Sequence, residues 1–360
     1  MKKYVGWMVI GAMLIPAAAA AQESGLVGAC AAIESSARPA CLVVAQAVES
    51  AQPKLGILLS GGNPTPGTAS TGGLKLGMLP GVSLTVRANA VSAHIPDVRE
   101  IHTGPTDGQS YGELRIVAPS LSATATLGVF PGVSIAPTIG GIGAVDLLGS
   151  ASWLPLRSVG SDDFRPGTAD VAYGGGVRVG LLRESFLTPG ASVSLMYHRL
   201  GTVAYGQVCP TGVTTSTTHD DGYTLTEGEC VPSDLGDLGE FSFDLSNWSA
   251  RAAVSKHLLG LGLAAGVGYD RLASDLAAGV RAPQGAWPSS LYYARVSDVT
   301  LEQGRWSAFV DGSFSLLVAS LAAEVGWQQG GNAVAGYPAN SDFDPGKGTL
   351  FGSVGLRVAL

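Results

Sequence analysis

From Leu74 onward, apolar residues alternate with small or polar ones at a period of two. Val82, Leu84, Val86, Ala88 and Ala90 alternate with Ser83, Thr85, Arg87 and Asn89. Leu121, Ala123, Ala125, Leu127 and Val129 alternate with Ser122, Thr124, Thr126 and Gly128. The same rhythm returns at Val177 to Leu181, Val193 to Tyr197, Leu261 to Tyr269 and Trp306 to Leu316. Successive side chains of a strand point to opposite faces, so each run has one apolar face and one small or polar face. Many runs approach or exceed the roughly 9–11 residues that a tilted membrane strand needs, whereas globular strands are mostly about 5–6. The polar faces carry Gly, Ser and Thr rather than Lys and Glu, which suits an enclosed lumen.

The pattern predicts strands near 74–79, 82–95, 112–129, 133–148, 168–184, 190–206, 241–256, 261–274, 304–316, 320–329 and 348–360. Bacterial single-chain barrels have an even strand number, and Leu55 to Ser60 supplies a further strand. The expected fold is all-β: an antiparallel up-and-down transmembrane β-barrel of about 12 strands, with 10 or 14 as alternatives. That count places both chain ends on one side. The connections alternate short and long. Short turns fall at Leu79–Gly81, Phe130–Gly132, Leu187–Gly190, His257–Gly260 and Leu317–Ala319. Long ones fall at Pro96–Gly112, Gly149–Gly167, Gly206–Glu240 (the longest), Asp275–Gly304 and Gly330–Gly348. Short periplasmic turns and longer external loops are the layout of bacterial barrels.

The N-terminus reads differently. Lys2 and Lys3, the apolar run Val5 to Ile15 and a small-residue pattern ending at Ala21 predict a signal peptide over 1–21, cleaved before Gln22. Residues 22–54 are Ala-rich without alternation and predict a helical segment or plug, leaving 55–360 for the barrel. Charged residues make up 14 % of the chain and mean hydropathy is +0.28. A soluble domain carries about a quarter charged residues. An exported apolar chain with no second helix of membrane length has a closed barrel as its route across a bilayer. A net charge of −7 without a basic cluster excludes nucleic acid as a partner.

Export places Cys30, Cys41, Cys209 and Cys230 in an oxidising compartment. Of the possible pairings, Cys30 with Cys41 and Cys209 with Cys230 are favoured, because each pair lies within one segment. Extrapolated inward, the alternation assigns Arg87, Asp146, Arg178, His198, Arg251, Asp270, Arg305, Asp311, Glu324 and Arg357 to the lumen. An outward Arg or Lys near the bilayer midplane costs about 2–4 kcal/mol, which decides the direction. These charges either line a pore or pair with one another and fill the interior. Trp153, Tyr173, Tyr197, Tyr205, Trp248, Tyr269, Trp306 and Trp327 read as girdles at the bilayer interfaces. The His residues are scattered and no nucleophile, zinc or phosphate-loop motif occurs, so no enzyme and no cofactor is expected. His219, beside Asp220 and Asp221, reads as a polar loop residue.

The last strand, with Leu350, Gly352, Val354, Leu356, Val358 and Leu360 on one face, resembles the C-terminal signature of outer-membrane barrels, which their insertion machinery reads. Those strands usually end in Phe or Trp; here the end is Leu360. The helical N-terminal piece followed by Gly61-Gly62-Asn63-Pro64 loosely resembles the fatty-acid transporter family of outer-membrane channels, which have an N-terminal plug with an Asn-Pro element. The resemblance implies outer-membrane lipid, lipopolysaccharide and the insertion machinery as partners, and a small, hydrophobic solute. The expected function is a passive pore or transporter. The alternative is a structural or surface-binding barrel acting through its loops, and a lipid-modifying or proteolytic enzyme is the third reading.

Overall fold

The computed structural model describes residues 25–71, 74–75, 79–98, 112–135, 140–156, 164–165, 168–209, 212–230, 237–258, 260–283, 291–316, 318–338 and 341–359. The signal peptide read at 1–21 and the terminal Leu360 lie outside them. In chain order the elements are α1 (Gly25–Ala32), α2 (Arg38–Ser60), β1 (Leu74–Lys75), β2 (Leu79–Pro80), β3 (Val82–Pro96), β4 (Glu113–Phe130), β5 (Ala144–Trp153), β6 (Val171–Leu182), β7 (Gly190–Tyr205), β8 (Gly212–Thr218), β9 (Thr224–Cys230), β10 (Gly239–Leu258), β11 (Leu261–Pro283), β12 (Leu291–Leu316), β13 (Ala319–Gln328) and β14 (Thr349–Ala359).

Ten of these strands close a barrel. β3 to β7 pair in sequence, β7 passes to β10, β10 to β14 pair in sequence, and β14 returns to β3. Every pairing is antiparallel, for example Tyr269 opposite Trp306 and Val354 opposite Ala88. Closure leaves no bare strand edge in the wall, the condition for backbone in hydrocarbon. The count is ten, the lower of the expected alternatives, rather than twelve. Leu55 to Ser60 is the last part of α2, not a strand. Among the described residues, the region near 74–79 gives the two-residue pieces β1 and β2, paired with each other outside the barrel sheet. Short apolar runs do not distinguish a strand from a packed helix by pattern alone.

The two faces of the wall follow the alternation. Leu84, Val86, Leu121, Val177, Leu195, Val254, Leu263, Val267, Val310, Leu321, Val325, Val354 and Leu356 point out and stay exposed. Thr85, Ser122, Thr124, Ser194, Ser249, Ser307 and Ser353 point in and are buried. Trp153, Tyr173, Trp248, Tyr269, Trp306 and Trp327 ring the outside near the long-connection end, with Tyr197 packed at a tilt against Trp248 and Tyr269 against Trp306, centroids 5.0 Å apart. Tyr205 is not part of this ring. It is buried and packs on Phe164 and Phe241, because β7 there has risen above the apolar belt. On β11 the belt runs from Leu261 to Tyr269. At about 3.3 Å per residue and a tilt near 40°, that spans roughly 20 Å of height, close to the apolar band of membrane barrels. Above it stand exposed ion pairs such as Arg271–Glu302.

Two predicted loops are structured. Asp275–Gly304 is mostly strand, since β11 and β12 pair on past Ser274–Leu301 to Pro283–Leu291. Gly206–Glu240 contains the β8–β9 hairpin, with β9 added to the free flank of β12 from Tyr292 to Ser297. Together they raise a sheet well above the aromatic ring. The Cys209–Cys230 disulfide ties the base of the hairpin.

Candidate functional site

The lumen holds the chain's own N-terminal segment. α1 lies at the long-connection end: Gly25 faces Val299, and Glu34 N–H reaches Tyr292 Oη at 3.5 Å. The Cys30–Cys41 disulfide joins α1 to α2, with Cα atoms 5.7 Å apart. α2 then descends along β3, β10 and β11, and residues 61–70 continue to the short-turn end. There Ala69 N–H donates to Ser255 Oγ at 2.9 Å. The described chain thus begins at one end of the barrel and finishes at the other, whereas the sequence reading put both ends on one side. An even strand number fixes where β3 and β14 meet, but not where a threaded plug starts.

α2 is helical for local reasons first. Pro39 stands in its first turn, where its missing N–H is harmless, and Ala, Leu and Val favour or tolerate helix. Pro53 lies inside the helix and removes the bond to the carbonyl of Glu49. The wall replaces it: Gln303 Nε2 donates to Glu49 O at 3.1 Å and to Gln52 Oε1 at 2.7 Å. At the C-terminus, Ile57 O receives Gly61 N–H at 2.8 Å, and wall side chains reach neighbouring carbonyls. Asn247 Nδ2 takes Gly56 O at 3.2 Å, Ser120 Oγ takes Leu58 O at 3.4 Å, and Arg251 takes Gly61 O through Nε at 3.1 Å and Nη2 at 2.9 Å. A guanidinium at a helix C-terminus also answers the helix dipole. Asp270 neutralises it at 2.8 Å and accepts from Ser60 and Asn247 at 3.2 Å.

Below α2 the plug is irregular, polar and wholly buried through Ala69. Glu324 accepts the consecutive N–H groups of Gly62 and Asn63 at 3.0 and 2.6 Å. Asp311 accepts from Asn63 Nδ2 at 3.2 Å and from Gly67 N–H. Arg87 Nη1 donates to Asn63 O at 3.0 Å. Arg178, paired to Asp146 at 2.5 Å, donates to Thr65 Oγ1. Two glycines are sterically required. A Cβ on Gly62 would stand 2.6 Å from the Phe309 ring and 2.8 Å from Glu324, and Gly67 has φ +83° against Ser313.

The structure therefore places all ten sequence-assigned charges on the inner face. Arg87, Arg178, Arg251, Asp270, Asp311 and Glu324 converge directly on the plug, and Asp146 acts through Arg178. Arg305 and Arg357 are half-buried, Arg305 bonding Gln303 Oε1 at 2.6 Å. His198 is buried on the same face, opposite Asn247 on the neighbouring strand, and its Nδ1 makes no hydrogen bond. The sequence reading missed Asn247, Gln303, Ser60 and Thr65. Asn247 and Gln303 share the parity of Arg251 and Arg305, which was a usable signal; Ser60 and Thr65 had none.

Among solved structures, the fold is similar to the outer membrane protease OmpT from Escherichia coli, at 11 % identity over 78 % of this chain and 96 % of that one, TM-score 0.32. It is similar to Neisserial surface protein A at 8 % identity over 77 % and 96 %, TM-score 0.29. It is also similar to the translocator domain of autotransporter NalP from Neisseria meningitidis at 12 % identity over 77 % and 88 %, TM-score 0.29. Likenesses this distant carry over no activity. No protein-family model matches the chain, and no curated protein is similar to it, so the resemblance to fatty-acid transporters gains no family behind it.

Proposed function

We propose that this chain is an outer-membrane β-barrel that rests closed and acts through the sheet it raises outside the bilayer. The apolar belt, its aromatic ring and the closed backbone suit a membrane wall. The long-connection end then faces outward. The outer lipid contacts the belt, and the insertion machinery reads β14, whose Leu350, Val354, Leu356 and Val358 all face out. One observation carries the reading: the plug occupies the lumen from the external mouth to the short-turn rim. A helix with its side chains is about 10–12 Å across, comparable with the interior of a small barrel. A permanently open pore is not the state described. Liposome swelling with solutes of graded size tests this. Wild-type protein is expected to pass none of them, and size-graded leakage through it overturns the reading.

A second reading, a transporter for small solutes with the plug as its gate, draws on the polarity of residues 60–70. Hydrogen bonds exchanged for bonds to water cost little net, about 0.5–1.5 kcal/mol each. In the same liposomes, uptake of a solute by wild-type protein only when that solute is supplied as a gradient from the external side favours the gate.

A further inference from the structure

Beside the middle of α2, a narrow cleft separates the plug from the connection between β13 and β14. Lys54 of the plug, Arg305 and Gln328 of the wall, and Lys347 of the connection line it. Glu49 is the one carboxylate among the described lining residues, against three cations. Two side-chain acceptors of the cleft are already used. Gln46 Oε1 takes Val334 N–H at 2.8 Å, and Ser50 Oγ takes Gln46 Nε2 at 3.2 Å. Donors are left over. Gln328 is 1 % exposed and its Nε2 has no partner. Lys54 Nζ uses one of its three N–H groups, on Ser50 O at 2.8 Å. Arg305 bonds Gly304 O and Gln303 Oε1 on its own strand and lies within electrostatic reach of Glu49. The enclosed space measures about 20 Å³, room for one water-sized species.

We propose that this cleft binds one halide-sized inorganic anion, held between Lys54 on the plug and Arg305 on the wall with Gln328 Nε2 as a third donor. An excess of buried donors and positive charge selects an anion over water, and the size excludes larger organic acids. The bound ion cross-links plug to barrel, whichever way the closed lumen is used, so a conducting wild-type protein would leave this site standing.

The test compares thermal unfolding of the full chain in detergent with sodium chloride and with sodium gluconate at equal ionic strength, which removes screening differences. The melting temperature is expected to rise saturably with chloride and to stay flat with gluconate. Lys54→Met should weaken the chloride response at least tenfold, and Lys347→Gln, at the exposed rim, about threefold. Gln328→Glu places a carboxylate in the cleft and should abolish the response; it serves if Lys54→Met does not fold. In crystals grown with bromide, an anomalous peak is expected between Lys54 and Arg305. Equal melting in both salts, an undiminished response in Gln328→Glu, or bromide bound only elsewhere overturns the site.

Discussion

The plug has two parts held by opposite means. Its external part, α1 and most of α2, is an apolar core. Leu26, Val27, Ile33, Val43, Val44 and Val48 pack with Phe241, Phe243, Leu272, Leu276, Val296 and Val299, and the Cys30–Cys41 disulfide closes it. Its inner part, residues 60–70, is just as buried but is held by Arg87, Arg178, Arg251, Asp311 and Glu324. The apolar part stays bound because water has nothing to offer it. The polar part stays bound only while its partners remain charged and aligned. Equal burial thus conceals unequal permanence.

The comparison breaks most severely if the whole segment is removed. Deleting residues 25–71 should turn a silent barrel into a conducting one, read as single-channel steps in planar bilayers; a deletion that inserts but stays silent would show the wall closing on itself. Next, Glu324→Gln withdraws the charge that holds two adjacent N–H groups. It should produce intermittent conductance with little loss of melting temperature, whereas Leu272→Ala should lower stability by about 2–5 kcal/mol without opening the lumen. If the two variants behave alike, the division into an anchored and a releasable part is wrong. Replacing Cys30 and Cys41 by Ser should destabilise the external part by roughly 2–4 kcal/mol, seen as faster proteolysis of α1 with conductance unchanged.

The smallest effect lies at the external rim. Burial pulls the Glu113 carboxyl upward, but hydrogen bonds from Arg115 at 2.8 Å and His94 at 2.7 Å outweigh it and hold it below its ordinary value. A depressed carboxyl contributes stability above its unfolded value, about 4.3, and loses it as pH falls through the folded one. Hydrogen exchange near His94 and Glu113 should therefore quicken below about pH 4.

Much of the wall could be read without coordinates. The inward position of Arg178 and Asp270 follows from parity, because a strand has two faces and lipid tolerates only one of them. The joining of Cys30 to Cys41 and of Cys209 to Cys230 follows from closeness in the chain. Alternation, however, says where a side chain points and not what it meets. Leu55 to Ser60 carries the same apolar letters as a strand, and becomes helix because it lies inside a wall whose backbone pairing is already complete. Only the closed tertiary structure brings Glu324 to Gly62, Arg251 to Gly61 and Gln303 to the carbonyl that Pro53 leaves free, since each bond joins positions far apart in the chain. Local periodicity set the membrane-facing surface; the meeting of distant segments set what fills the barrel.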